Sequence, residues 1–351
     1  MDLAQERKND HARLALDQQK EARWNPFDEI RFIHHSLHSV TYDDISLTSH
    51  WAGYKHTFPF YINGMTGGSQ KTKTYNQQLA LLARETGLAM ATGSVSIALS
   101  QPDLEDTFTV VREYNPDGFV MANLGAHHTI ENAKRAVDLL KADALQIHLN
   151  IPQEVVMPEG DRDFTMWLDN IRDLVKKLQV PVIVKEVGFG MSRETIDLLL
   201  STGVQTIDVS GRGGTNFLAI ENDRRRRLDF ADLANWGQTT PESLLESLAF
   251  QDKATILASG GIRSYQDIVK ALSMGAQAVG LSGKFLAMVN ELGVDKTVAI
   301  VHDWEDSIKH LMLMLGAESI EALNQHPIVV SGSLKDWAQA RQIDYQSLAN
   351  R

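Results

Sequence analysis

Residues 255–285, TILASGGIRSYQDIVKALSMGAQAVGLSGKF, decide how the rest of the chain is read. An apolar run, Thr255 to Ala258, breaks at Gly260–Gly261. Ile268, Val269, Ala271, Leu272 and Met274 then recur at helical spacing, and a second apolar run, Ala278 to Leu281, breaks at Ser282–Gly283. The order is strand, loop, helix, strand, loop, with glycines where backbone amides must come close to something. In a (β/α)₈ barrel the loops after strands 7 and 8 form the usual phosphate site, where exposed amides and a helix N-terminus attract an anion. The stretch predicts a barrel and a phosphorylated ligand together.

Composition agrees. The 351 residues accommodate a barrel of about 250 with additions. At 43% hydrophobic and 23% charged, the chain has the composition of an ordinary globular protein. No apolar run reaches the ~18–20 residues that span a bilayer, and the N-terminus, MDLAQERKND, has no signal-peptide core. A cytoplasmic location with no membrane partner is the expectation. The absence of cysteine rules out disulfides, thiolate nucleophiles and thiolate metal sites. A formal net charge of −11 argues against a nucleic-acid surface, so an anionic ligand must be held by local cations and amides.

Working outward, short apolar runs ended by Gly, Ser or Asn recur at 59–68, 88–94, 118–126, 144–150, 181–188 and 206–214, and the two opening strands complete eight. They are rich in Val, Ile and Leu, as expected for parallel strands covered on both faces. Helical patterns intervene at Tyr75–Thr86, Ile130–Leu140, Phe164–Leu178 and Arg193–Ser201. Residues 151–163 after strand 4 and 212–240 after strand 6 read as long loops, and function concentrates on such loops. The domain expectation is one unit: an N-terminal arm (1–57), the barrel (58–290), then C-terminal helices and a tail (291–351), with an amphipathic helix around Trp304–Leu315.

Several polar residues need explaining. Lys185 sits in the apolar strand PVIVKEVG, where an unpaired ammonium costs several kcal/mol. It either faces an anion in the pocket or pairs with Glu186, and strand alternation puts those two neighbours on opposite faces. His148 and Asn150 share a face of strand 4, with Gln153 and Glu154 following, and Glu154 suits a hard cation such as Mg²⁺. Asp208 and Ser210 share a face of strand 6, ahead of Gly211, Gly213, Gly214 and Thr215. Ser94 and Ser96 lack a His–Asp arrangement and read as hydrogen-bond donors. Arg7, Lys8 and His11 are either a solvated arm or a cationic clamp over the barrel mouth. Arg224–Arg227 reads as a solvent-facing or subunit-contact patch, and the Met and Leu residues of 311–315 as core or oligomer contact.

RKNDH (7–11), NGMTGGS (63–69), TGSVSIAL (92–99), NLGA (123–126), HLNIPQE (148–154), KEVGFG (185–190), SGRGGTNF (210–217) and SGGIRS (259–264) occur together and in order. With PIVVSGSL (327–334) in the tail, the chain resembles the type II isopentenyl diphosphate isomerases over essentially its whole length. These are FMN-dependent (β/α)₈ barrels. The single glycine motifs are shared with many flavin barrels, whereas RK..H with H.N..QE is much more specific.

The resemblance implies interconversion of isopentenyl and dimethylallyl diphosphate, with reduced FMN as acid/base cofactor, NAD(P)H as reductant and Mg²⁺ on the diphosphate. It implies FMN contacts at Met65, Thr66, Gly67, Ser94, Asn123, Lys185, Ser210, Thr215, Gly261, Ile262, Arg263, Ser282 and Gly283. Substrate contacts would be Arg7, Lys8, His11, Ser94, Ser96, Asn150 and Gln153, with Gln153 and His148 nearest the chemistry and Glu154 holding Mg²⁺. A homo-oligomer, tetramer or octamer, is also implied. The competing expectation is an FMN-dependent 2-hydroxyacid oxidase. That chemistry needs a strand-end histidine base and arginine, and here the stretch is Ser210–Gly211–Arg212–Gly213–Gly214–Thr215, without the histidine. A barrel that binds phosphate or flavin without catalysis is the third possibility, and the many convergent polar groups in one mouth speak against it.

Overall fold

Eight of the short apolar runs become parallel strands: β1 (Phe60–Ile62), β2 (Met90–Ala91), β3 (Val120–Gly125), β4 (Ala144–Leu149), β5 (Val182–Glu186), β6 (Thr206–Asp208), β7 (Thr255–Ser259) and β8 (Ala278–Leu281). They pair in chain order and β8 returns to β1, closing a (β/α)₈ barrel. The computed structural model describes residues 3–19, 25–65, 67–224 and 228–351.

Strand alternation stacks the barrel interior in layers. Met121, Ala144, Ile183, Leu257 and Ala278 join Tyr61 in an apolar floor. Two residues further along, the inward positions turn polar: Asn123 pairs in register with Gln146, and Lys185 with Asp208. His148, register partner of Lys185, follows toward the mouth. Residues in register on parallel neighbours share a face, so these polar groups converge. A hairpin, Ser49–Trp51 with Tyr54–His56, plugs the opposite end. There Trp51 stacks on His56 with centroids 3.9 Å apart.

Outside the strands, Gln70–Thr86, Ile130–Leu140, Trp167–Lys177, Arg193–Leu200, Thr240–Ser247 and Tyr265–Ser273 are helical. Ser69 starts the first by accepting from the Thr72 amide, and Gly87 ends it in the left-handed region. Two segments expected as loops carry helices instead: Ile151–Val156 after β4, and Phe217–Arg224 after β6. The polar run that follows Ile220 disguised the second.

The N-terminal arm begins with a helix, Leu3–Gln18, which buries Ala12 and Ala15. Ala12 packs with Tyr75 and Leu286. The C-terminal helix runs from Val294 to Leu315, a longer span than expected, with Met312 and Leu315 buried and Met314 exposed. The tail strand Ile328–Val330 pairs antiparallel with Ile30–Phe32, tying arm to tail. Among the described residues, no helix is long and apolar enough to cross a membrane.

Candidate active site

The mouth of the barrel, at the C-terminal ends of the strands, opens into a cavity of about 450 Å³, within the usual range for a small ligand or cofactor. Arg7, Lys8, His11, Met65, Ser94, Ser96, Asn123, His148, Asn150, Gln153, Glu154, Lys185, Ser210, Thr215, Gly261, Ile262, Arg263, Ser282 and Gly283 all line it. Two residues singled out in sequence stand apart. Gly67 lies behind the wall against the Phe108 ring, and Thr66 falls outside the described residues.

One side of the cavity is built from backbone. The loops after β6, β7 and β8 meet there, and glycine makes the approach feasible: a Cβ on Gly213 would sit 3.2 Å from Gly261 Cα, and one on Gly283 would sit 3.1 Å from Thr215 Oγ1. Gly260 and Gly261 have φ of +91° and +74°, which side chains disfavour. Ser210 adopts φ of +33° although it is not glycine, and its carbonyl accepts from the amides of Gly188 and Gly190. Gly283 opens the ten-residue helix Gly283–Leu292, so the loops and helix terminus form a cradle of the kind that holds phosphate. Arg263 reaches this rim, but its guanidinium is taken by Asp28 (2.6 and 3.0 Å) and Asp267 (2.8 and 3.0 Å). It braces the loop.

Lys185 is buried and donates from Nζ to the Glu186 carbonyl at 2.5 Å. The Glu186 carboxyl points the other way and accepts from the amides of Val187 and Phe189. The structural Lys–Glu pair is therefore absent, and the ammonium faces the cavity. Burial lowers the Lys185 pKa, with Asp208 and Glu186 opposing.

The other side is built from side chains. The N-terminal helix lies across the mouth, fixed by reciprocal bonds between Gln18 and the backbone of Asn216 at 2.8 and 3.3 Å. It brings Arg7, Lys8 and His11 to the cavity, so this part of the arm is packed against the mouth and not solvated. Desolvation, then repulsion from Arg7, lowers the Lys8 pKa to about 8, against an opposing pull from Glu221.

Glu221, on helix Phe217–Arg224, is the residue that sequence reasoning missed. Its carboxylate is fully buried; Oε1 meets His11 Nε2 at 2.7 Å and accepts from Gln153 Nε2 at 3.0 Å, while Oε2 accepts from Arg224. Burial opposes its charge, but these partners prevail and hold its pKa at about 2. Arg224 also bonds Glu159 at 3.1 Å, and Arg7 approaches the same carboxylate at 3.4 Å. Arg224 is thus part of the mouth network, which corrects the expected solvent-facing patch; Arg225–Arg227 lie outside the described residues.

Between the two sides stand β4 and its helix. Asn150 donates to Glu154 Oε1 at 2.8 Å and Gln153 Oε1 at 3.3 Å, and Glu154 Oε2 accepts from the Asp161 amide. Among the described residues no cluster of three His, Asp or Glu forms a protein-only metal cage. Glu154 offers one carboxylate, which suits Mg²⁺ completed by phosphate oxygens and water. Ser96 Oγ bonds His128 Nε2 at 2.9 Å, and burial drops the His128 pKa to about 4. His148 is bonded through Nδ1 to Asn123 Oδ1 at 2.8 Å. Burial first, and Lys185 second, depress its pKa well below the usual imidazole range.

Comparison with known proteins adds the context. Residues 117–330 match the family of FMN-dependent dehydrogenases. The chain is 50% identical to an isopentenyl-diphosphate delta-isomerase of Staphylococcus epidermidis and 52% identical to one of Latilactobacillus sakei, in each case over 96% of both chains. Among solved structures it resembles the flavin-binding domain of baker's yeast flavocytochrome b2, with TM-score 0.62 and 21% identity over 92% of this chain and 80% of that one. A mandelate oxidase variant matches with TM-score 0.62 and 18% identity over 92% of each chain. At that identity the structural likeness concerns the fold alone.

Proposed function

The chain belongs to the isopentenyl-diphosphate delta-isomerase family, within the FMN-dependent dehydrogenase barrels, and on that premise we propose that it interconverts isopentenyl and dimethylallyl diphosphate with reduced FMN in the barrel mouth. The observation that carries this reading is the division of one cavity into a backbone cradle and a cationic clamp. Two phosphorylated molecules can then be held face to face.

The cradle residues Thr215, Gly261, Ile262, Ser282 and Gly283 would hold the FMN phosphate. Lys185, with Met65, Ser94, Asn123 and Ser210, would surround the ring. Arg7 and Lys8 would neutralise the substrate diphosphate, His11, Ser96 and Asn150 would hydrogen-bond it, and Glu154 would hold Mg²⁺ against it. Moving the double bond adds a proton at one carbon and removes one from another, with no net redox change. No side chain here is a strong acid able to protonate an alkene; reduced FMN supplies an electron-rich ring and an exchangeable proton. Gln153, fixed by Glu221, and His148 would orient the hydrocarbon against it, and the closed clamp would exclude water. NAD(P)H as reductant, a cytoplasmic setting and a homo-oligomer complete the proposal. Exposed Leu228, Trp236 and Met314 are suitable for self-association.

The oxidase alternative is weakened by Arg212. Its guanidinium turns away from the cavity to Asn235 Oδ1 at 3.1 Å, so no arginine of the strand-6 motif is offered to a hydroxyacid. The test is anaerobic incubation of the photoreduced FMN-loaded protein with isopentenyl diphosphate and Mg²⁺. Dimethylallyl diphosphate is the expected product, and Glu154→Gln should lose Mg²⁺ dependence while retaining FMN. No product, or oxygen consumption with lactate or glycolate instead, would overturn the reading.

A further inference from the structure

A chain of buried amides crosses the barrel lumen below the cavity. Asp208 accepts from Asn63 Nδ2 at 2.9 Å. Asn63 Oδ1 accepts from Gln146 Nε2 at 3.0 Å, Gln146 Oε1 accepts from Asn123 Nδ2 at 3.1 Å, and Asn123 Oδ1 meets His148 Nδ1 at 2.8 Å. All five residues belong to the proposed barrel mouth or the layer beneath it, yet the proposed chemistry gives Gln146 and Asn63 nothing to do. Gln146 is fully buried, and a buried amide has to be explained by its partners.

The chain has a direction, and it is set at Asn63. A carboxylate can only accept, so Asp208 forces the Asn63 amide nitrogen toward itself. The Gly64 backbone N–H can only donate, and it donates to Asn63 Oδ1 at 2.9 Å. Both anchors orient Asn63 the same way. Gln146 must then present its nitrogen to Asn63 and its oxygen to Asn123, and Asn123 must present its oxygen to His148.

We propose that Gln146 is a positioning residue for His148: it passes the polarity fixed at Asn63 to Asn123, and so holds His148 as the Nδ1–H tautomer with the Nε2 lone pair open to the cavity. Nε2 has no protein hydrogen-bond partner among the described residues, and His148 lines the cavity. The ring thus offers an acceptor and no donor at Nε2, so a hydrogen-bond partner it takes there must carry the proton, while its face remains free to pack on hydrocarbon. Burial and the nearby Lys185 ammonium keep the ring from taking a second proton. The consequence for turnover rests on the isomerase reading; the tautomer itself does not.

The test is ¹⁵N NMR of the FMN-loaded protein labelled at the histidine ring nitrogens, with His148 identified by its absence in His148→Gln. The expected wild-type signal is a protonated Nδ1 and a bare Nε2, unchanged from pH 6 to 9. Gln146→Met, close in volume, frees Asn123 to turn, so an Nε2–H population should appear and kcat should fall about tenfold with KM little changed. Gln146→Met with Asn123→Asp puts an obligate acceptor beside Nδ1 and should restore the Nδ1–H signal. A wild-type ring protonated at Nε2, or a folded, FMN-bound Gln146→Met protein that stays wholly Nδ1–H, would overturn the proposal. The wild-type tautomer is decisive even if Gln146→Met fails to fold, and product formation by wild type tests the isomerase reading separately.

Discussion

The two sides of the cavity are made in different ways. The cradle side uses main chain: loops after consecutive strands, brought together by glycines, with one buried lysine. The clamp side uses side chains from distant parts of the sequence. His11 and Glu221 lie 210 residues apart, and Gln153 is 68 residues from Glu221. A main-chain site comes with the barrel and can serve any barrel that binds a phosphorylated cofactor. A side-chain site exists only when the arm, the helix after β4 and the helix after β6 are all in place. Cofactor binding and substrate binding should therefore be separable by mutation.

The largest effect is expected on the cradle side. Gly260→Ala puts a Cβ against the Gly211 carbonyl at a φ of +91°, and the left-handed backbone alone costs on the order of 1–2 kcal/mol. The protein should purify with little FMN, its affinity for FMN reduced more than about 100-fold, as flavin absorbance of the purified protein would show. Retention of normal FMN content would show that the loops after β6 and β7 have slack this structure does not reveal.

Glu221→Ala probes the clamp side. It leaves His11 and Arg224 without their shared buried carboxylate, a loss of about 3 kcal/mol by analogy with broken buried pairs, measurable as a lower urea midpoint. FMN content should stay at the wild-type level and KM for the diphosphate should rise, because His11 and Gln153 lose the carboxylate that orients them. Loss of FMN with unchanged KM would erase the distinction between the two sides.

The same division explains what was legible. Gly260–Gly261, Ser282–Gly283 and Lys185 could be read directly, because glycine after an apolar run and a lysine inside one are local signals. The strand order followed from spacing, although β2 is only Met90–Ala91 and its neighbours are shorter than their apolar runs. Glu221 was invisible because its environment is assembled by folding, and in FLAIENDR it opens the polar half of the helix, which runs on into more charge. One local clue existed: Glu221 and Arg224 are three apart, the spacing of a helical ion pair. Gln146 was a missed signal of the Lys185 kind, an uncharged polar residue inside ALQIHL. It attracted less notice because a buried amide is less costly than a buried charge. Arg263 shows a different limit of local signals: its motif position fixed its place on the rim, and the direction of its guanidinium is set in part by Asp28, 235 residues away.

The smallest expected effect concerns Lys8, and it sharpens the comparison because pH reaches the clamp without touching the cradle. Burial, reinforced by Arg7, brings the Lys8 pKa down to about 8 in the free protein. The cationic form, which binds an anion, predominates below that value and is lost as pH rises through it. Bound diphosphate stabilises the ammonium, so the pKa rises in the complex. The profile of kcat/KM, which reports the free enzyme, should therefore fall above about pH 8 while kcat stays level to higher pH. Lys8→Met should lower kcat/KM about tenfold at pH 7, equivalent to roughly 1.4 kcal/mol, and remove the fall. Lys8→Arg keeps the charge and should carry activity past pH 9. If Lys8→Met retained the wild-type fall, the titrating group would lie elsewhere, with the Lys185 ammonium of the cradle side the next to examine, and the two sides would share their pH response.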